Sequence, residues 1–274
     1  MLRKVKKIVK RYIQKTEIKS EKIPLLEGSL LLGKIALITG ASSGIGYGIA
    51  ESIVKNGGKV VLTGRNIDKL DVACKKLGNG NADYIIWDAS SIEEINEKLN
   101  EVINKFGKID ILVNNAGYHG NQNFMTISEE DYDFTFNTNL KYTFFLSQAV
   151  AKYFIEHEMS GNILNISSAS SIKPAWSPYE ISKWGVRGFT RGLARELAKY
   201  DIVVNGIAPG PCATEMSHWH DGDDLSWPSI PAGRMSMPVE IGNLAVFLVS
   251  RLGKNILGET VFCDGGSGLL TMNK

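Results

Sequence analysis

The sequence predicts an α/β chain, a single domain on a doubly wound, parallel, seven-stranded sheet, preceded by a basic arm. Three observations predict it. Short runs rich in Val, Ile and Leu recur between stretches of helical period, as strands buried on both faces require. The first run passes directly into a glycine turn and then a helical pattern, from Lys34 to Val54. The later runs end in small polar residues, which gathers polar groups at the carboxyl ends of parallel strands, where such sheets bind ligands.

The bulk composition agrees with one sizeable core: 274 residues, 43% of them hydrophobic, with 28 glycines for tight turns. The formal charge of +2 is unevenly spread, because residues 1–22 hold nine Lys/Arg against two Glu and leave the remainder about −5. A body of that sign does not seek polyanions, so no nucleic acid partner is expected. Cys74, Cys212 and Cys263 show neither metal spacing nor a paired framework, and reduced thiols suit a cytoplasmic protein. No apolar run reaches the roughly 18–20 residues of a membrane span, and no secretory h-region follows the basic start.

Residues 1–30 form the arm. Leu2, Val5, Ile8, Val9, Tyr12 and Ile13 repeat at helical spacing among lysines, which predicts a short basic amphipathic helix. Two readings stand: weak contact of residues 1–15 with an anionic membrane surface or acidic partner, or a solvated arm lying on its own body or another subunit. Residues 31–274 form the domain. Its first strand, Lys34 to Thr39, leads into Gly40, Ala41, Ser42, Ser43, Gly44, Ile45 and Gly46. Strand, glycine turn and helix together let backbone approach a pyrophosphate, with amide donors and a favourable dipole at the helix start.

The second strand, Lys59 to Thr63, ends in Gly64 and Arg65. An acidic residue there would accept from a ribose 2′-hydroxyl, whereas Arg65 offers a fork of donors to a 2′-phosphate. NADP(H) is therefore expected over NAD(H). The third strand, Tyr84 to Trp87, delivers Asp88 and Ala89 to the adenine edge, and the fourth, Ile109 to Val113, ends in Asn114, Asn115, Ala116 and Gly117. Helical patterns over 70–77 and 92–106 separate these strands, as right-handed crossovers require.

A long helix is predicted over 128–158, with a capping-type start at Ser128. The fifth strand, Gly161 to Ile166, delivers Ser167 and Ser168. Tyr179 and Lys183 follow, four residues apart and so on one face of a helix, after a connection that Lys173-Pro174 and Ser177-Pro178 tighten. An ammonium held beside a phenol favours the phenolate and draws its pKa down from about 10. The sixth strand, Ile202 to Ile207, ends at Ala208, Pro209 and Gly210; a helix over 239–248 and a seventh strand, Glu259 to Cys263, complete the sheet.

The glycine turn 39–46, Asn114 to Gly117, and Tyr179 with Lys183, in this order and spacing, resemble the short-chain dehydrogenase/reductase family. The similarity covers about residues 33–267 and is nearest in appearance to 3-oxoacyl-carrier-protein reductases. It implies a Rossmann-type domain and hydride transfer between a nicotinamide and a carbonyl or secondary alcohol. Tyr179 matches the proton donor, Lys183 the residue that tunes it and holds the ribose, Ser168 the carbonyl anchor, and Asn139 the residue that kinks the helix and holds a relay water. Asn115, Ala116, Gly117, Pro209, Gly210 and Thr214 match cofactor contacts. A homo-oligomer, tetramer or dimer, is also implied. The chain departs from the pattern in two places: Ser168 and Tyr179 are eleven apart, about two fewer than the commonest spacing, and Trp184 stands where a small residue is usual, which suggests tighter helix packing. Glu180 is expected to point away from Lys183.

Residues 211–238 read as a long binding loop, with Trp219 and Trp227 expected over the substrate. His218, His220 and the aspartates 221, 223 and 224 are metal-ligand types, but the chemistry needs no metal and none is expected. The substrate is a small carbonyl or alcohol compound: a 3-oxoacyl thioester, a ketone or a sugar-like molecule. A different class, an idle dinucleotide sensor or scaffold, is disfavoured by the presence together of Asn139, Ser168, Tyr179 and Lys183.

Overall fold

The computed structural model describes residues 28–269. Its seven strands are β1 (Ile35–Ile38), β2 (Lys59–Gly64), β3 (Ala82–Ile86), β4 (Ile111–Asn114), β5 (Gly161–Ile166), β6 (Ile202–Pro209) and β7 (Thr260–Cys263). All neighbours pair in parallel, in the order β3-β2-β1-β4-β5-β6-β7. The chain winds outward from β1 to β3, then crosses back to place β4 beside β1. That reversal opens a crevice at the carboxyl ends of β1 and β4.

The helices are α1 (Gly44–Lys55), α2 (Ile67–Leu77), α3 (Ile95–Phe106), α4 (Glu129–Phe136), α5 (Tyr142–Glu156), α6 (Pro178–Leu197) and α7 (Pro238–Val249). Alternate side chains of each central strand enter opposite layers. Ala36 and Ile38 of β1 join Ile49 and Ile53 of α1 and Ile241 and Val246 of α7. Leu37 instead joins Leu99 and Val102 of α3 and Leu146 and Val150 of α5. Double-sided burial is why these strands read as unbroken apolar runs rather than alternating ones. Residues 28–30 lead into this body, with Leu30 against the core, while Leu31 is buried within it. The amphipathic pattern of residues 1–15 lies outside the described residues.

One helical boundary is corrected and one expectation is refined. The stretch expected as helix over 128–158 is helical from Glu129 to Glu156, with a π-helical turn, Asn137–Lys141, between α4 and α5 at the Asn139 position where the resemblance implies a kink; there the Tyr142 amide donates to the Asn137 carbonyl five residues back. The extra residue in that turn rotates Asn139 into the interior, where it is buried. The helix expected from Ile92 begins at Ile95, Ile92 serving as the carbonyl of the preceding turn. Among the described residues no helix is long and apolar enough to cross a membrane.

Candidate active site

The glycine turn forms one wall of the crevice. Gly44 has φ +59°, and a Cβ on Gly46 would lie 2.5 Å from both Asn115 Nδ2 and the Gly40 carbonyl. Asn115 braces the turn by donating to the Thr39 and Gly40 carbonyls at 2.9 Å each. The Asn115 and Ala116 amides donate to Thr39 Oγ1 at 3.0 Å, tying the β4 end to the β1 end. Ser43 occupies the N-cap of α1 without a side-chain cap bond, and no acidic residue stands in the first turn. The opening amides of α1 therefore face the crevice with their dipole uncompensated. A cradle with no room for Cβ atoms and with free amide donors fits a pyrophosphate.

Other residues expected around a dinucleotide lie along the same edge. Gly64 ends β2 with Ser42 Oγ 3.6 Å from where its Cβ would stand. Arg65 is exposed, and its Nη1 is 3.9 Å from Asp88 Oδ2. Asp88 also accepts from the Ser90 amide and hydroxyl at 2.9 Å each, and Ala89 packs on the layer below. Pro209 pairs with Cys263 at the end of β6, and the Gly210 amide donates to the Cys263 carbonyl. Thr214 Cγ2 comes within 3.3 Å of a Cβ position on Gly44, so the segment after β6 folds back onto the glycine turn. Lys69 of α2 holds it there through Glu215 at 2.8 Å.

Local chemistry sets the position of Tyr179. Ser177 caps α6 by accepting from the Glu180 amide, and Glu180 Oε2 accepts from the Ser177 and Trp176 amides. Pro178 follows at the first helical position, where its missing N–H costs nothing. The completed capping box turns the Glu180 carboxylate toward the helix start, as expected. Its charge nevertheless pushes the Tyr179 pKa up.

Ser168, Tyr179, Lys183 and Asn139 are brought together. Burial raises the Tyr179 pKa, and the Ser168 side chain beside the phenol opposes that rise. Lys183, one turn along α6 and buried, donates from Nζ to the Ile166 carbonyl at 3.0 Å and stands 5.7 Å from the Tyr179 ring centre. Asn139 Oδ1 accepts from the Tyr118 amide at 2.7 Å, and its Nδ2 donates to the Tyr118 carbonyl and Ser182 Oγ at 3.0 Å each. A Cβ on Gly117 would lie 3.5 Å from both Asn139 Oδ1 and Lys183 Nζ, which places this backbone between the two side chains. The neighbouring serines serve the backbone: Ser167 donates to the Lys183 carbonyl and Ser171 to the Ser168 carbonyl.

Electrostatics correct one expectation. Tyr179 is raised above its ordinary value, first by burial, with the Ser168 side chain opposing and Glu180 adding to the rise. Burial also pulls the Lys183 ammonium down to about 8. Desolvation thus outweighs the predicted pull of the ammonium on the phenol. Trp184 is corrected too. It is exposed, and its Nε1 donates to the Lys173 carbonyl, so it lies on the outer rim instead of tightening helix contacts.

The long loop is more self-contained than its sequence suggests. It is clasped by bridges between Cys212 and Ser236 and between Ser226 and Arg234. Trp219 Nε1 donates to the Asp223 carbonyl, and Trp227 remains exposed. The ring that does lie on Tyr179 is His119, 4.6 Å between centroids, which sequence reasoning passed over. Its position two residues beyond Gly117, on a loop at the carboxyl end of β4, was the available signal.

Glycine cradle, crossover crevice and clustered phenol, ammonium and serine define the class: an oxidoreductase built on a dinucleotide-binding sheet. The family model for short chain dehydrogenases matches residues 34–223. Gluconate 5-dehydrogenase of Gluconobacter oxydans is 35% identical over 86% of this chain and 95% of its own length. The 3-oxoacyl-(acyl-carrier-protein) reductase of Thermotoga maritima is 35% identical over 86% of this chain and 98% of its own. The crystal structure of 3-ketoacyl-(acyl-carrier-protein) reductase from Brucella melitensis, complexed with NADH, superposes with a TM-score of 0.80 at 31% identity, covering 87% of this chain and 99% of that one. The chain belongs to the short-chain dehydrogenase family, whose members act on carbonyl and alcohol groups with a nicotinamide dinucleotide.

Proposed function

We propose that this protein is an NADP(H)-dependent reductase of ketones, working in reverse as a secondary-alcohol dehydrogenase. The observation that carries the reading is the convergence of Tyr179, Ser168 and Lys183 beside the glycine cradle. The nucleotide, when bound, supplies or accepts the hydride. Gly40, Ser42, Ser43, Gly44, Ile45 and Gly46 hold its pyrophosphate, Asp88 and Ala89 its adenine edge, and Asn115, Ala116, Gly117, Pro209, Gly210 and Thr214 line its nicotinamide half. Arg65, exposed at the end of β2 with no acidic residue at the strand end itself, supports the choice of a 2′-phosphate.

Ser168 donates to the substrate carbonyl oxygen and orients it toward the phenol. Tyr179 then gives its proton to that oxygen, and its raised pKa keeps the phenol protonated and ready as an acid. Lys183 anchors the ribose hydroxyls and lends positive charge when the phenolate forms. Asn139, pinned through Tyr118 and Ser182, shapes the route by which a proton returns from water.

Relatives acting on a sugar acid and on an acyl thioester support a carbonyl substrate of either kind. Exposed Phe144 and Phe145 on α5, with Ile181 and Trp184 on α6, support a homo-oligomer, a dimer or a tetramer. The test is NADPH oxidation against a panel of ketones, keto-sugars and 3-oxoacyl thioesters, with Tyr179→Phe as the control. A loss of about 100-fold or more in kcat with unchanged nucleotide affinity is expected. Full turnover by that variant would overturn the scheme.

A further inference from the structure

His119 is the one aromatic side chain in ring contact with Tyr179 among the described residues. Its ring centre lies 4.6 Å from that of the phenol, with the planes tilted by 53°, and the residue is exposed. The backbone holding it is fixed on both sides. Tyr118, just before it, is bonded through both its amide and its carbonyl to the Asn139 side chain. The His119 carbonyl accepts from Gln122 Nε2. Gln122 is in turn held by the cap of α6: its Oε1 accepts from Ser177 Oγ at 2.6 Å, and its carbonyl from Trp176 Nε1 at 3.3 Å. The groups that place Tyr179 and Asn139 thus place His119 as well.

The imidazole nitrogens, by contrast, have no hydrogen-bond partner among the described residues. A polar ring held beside the proton donor, with its nitrogens open to solvent and not committed to another side chain, is placed to exchange water for a polar group of a substrate. We propose that His119 is a specificity-determining residue that hydrogen-bonds a hydroxyl group on the carbon next to the reacting carbonyl. The protein would then favour α-hydroxy ketones, and vicinal diols in reverse, over plain ketones.

Geometry limits the choice of partner. A carbonyl oxygen in hydrogen-bond reach of the phenol stands about 3 Å from it, so substituents of the neighbouring carbon come near the ring that contacts that phenol. The charge state narrows it further. Partial desolvation of the ring lowers the His119 pKa, against an opposing pull from Glu180, so the neutral ring prevails near neutrality. Neutral imidazole presents one donor and one acceptor. A hydroxyl group, itself donor and acceptor, satisfies either; an alkyl group satisfies neither.

The inference rests on the reading of Tyr179 as proton donor, and the experiment separates the two. Full-length protein with NADPH is assayed on 2-hydroxycyclohexanone and 2-methylcyclohexanone, a pair differing only by hydroxyl for methyl. Affinities of the NADPH-loaded protein, which cannot take a hydride from an alcohol, for cyclohexane-1,2-diol and 2-methylcyclohexanol are measured by calorimetry. Wild type is expected to favour the hydroxylated member of each pair. His119→Phe, which keeps a ring on the phenol, should shrink that preference by about 3–10-fold, chiefly through KM. His119→Asn, which keeps a donor and an acceptor, should retain more of it. A preference unchanged in His119→Phe, or absent from wild type, overturns the assignment. Failure of the proton-donor reading shows elsewhere, as undiminished turnover by Tyr179→Phe, and the binding ratio then still decides the role of His119.

Discussion

Lys183 stands 5.7 Å from the centre of the Tyr179 ring and spends a hydrogen bond on the Ile166 carbonyl, with burial alone setting its pKa. One turn of α6 therefore holds a cation that is expensive to keep and a phenol that burial keeps protonated. Both features carry measurable consequences.

The first concerns stability against pH. Lys183 releases its proton at about 8 in the folded chain, whereas an unfolded lysine holds it to about 10.4. Between those values the unfolded state binds more protons, so wild-type stability gains a rising contribution with pH. Below about 8 both states are protonated and the folded state bears the full cost of a buried charge. Lys183→Met removes that cost, while its lost bond to Ile166 subtracts a pH-independent amount. The difference in Tm, variant minus wild type, should fall as pH rises from about 7 to about 10 in scanning calorimetry. A difference that stays level would show that burial does not govern this ammonium.

The second concerns the two directions of turnover. Reduction uses the protonated phenol, and oxidation uses the phenolate. Because Tyr179 lies above its ordinary value, kcat/KM for ketone reduction should be level from about pH 6 to about pH 8. Alcohol oxidation should climb steadily across the same range and beyond it. Initial rates in buffers of matched ionic strength check this, and oxidation that peaks near neutrality would contradict it.

Gly46→Ala tests the cradle. Its new Cβ would meet Asn115 Nδ2 and the Gly40 carbonyl at 2.5 Å, and the second of these is backbone. Overpacking of that kind costs about 1–3 kcal/mol. A lowered Tm together with nucleotide affinity weakened by more than tenfold is expected, from thermal melts and from fluorescence titration with NADPH. Unaltered binding would mean that the turn does not approach the nucleotide.

Arg65 tests cofactor choice. It is loosely paired with Asp88 at 3.9 Å, so part of its charge is already engaged. A charge-assisted bond contributes about 1.5–3 kcal/mol, so Arg65→Leu should weaken NADPH binding by about 10–100-fold and leave NADH nearly unchanged. Asp88→Asn keeps an oxygen for both Ser90 bonds and removes the charge beside Arg65, so it should raise NADPH affinity relative to NADH affinity. Equal losses for both nucleotides in Arg65→Leu would remove the phosphate from the argument.

Much of the fold was legible because its signals are local. The unbroken apolar strands, the glycine turn leading into α1 and the capping-type start at Ser128 each encode backbone geometry within a few residues. Less local features were misread. The π-helical turn carries no composition of its own, so the periodicity of 128–158 showed only continuous helix, and the kink at Asn139 came from the resemblance alone. Trp184 looked like a packing residue because its size is visible in the sequence and its direction is not. The pKa of Tyr179 came out opposite to expectation because spacing reveals the nearby lysine and says nothing of the water excluded around both.

The sequence by itself determined the order of strands and helices, the cradle at Gly40, Gly44 and Gly46, and the pairing of Tyr179 with Lys183 on one helical face. These follow from short-range sterics and periodicity, which any window of a few residues contains. Only the tertiary structure decided that Ser168 and not Ser167 or Ser171 faces the phenol, that Asn139 turns inward, and that His119 lies across Tyr179. Each of those depends on loops from β4 and β5 meeting the start of α6 across neighbouring strands. Such contacts are set by sheet order and exclusion of water, which act between segments far apart in the chain.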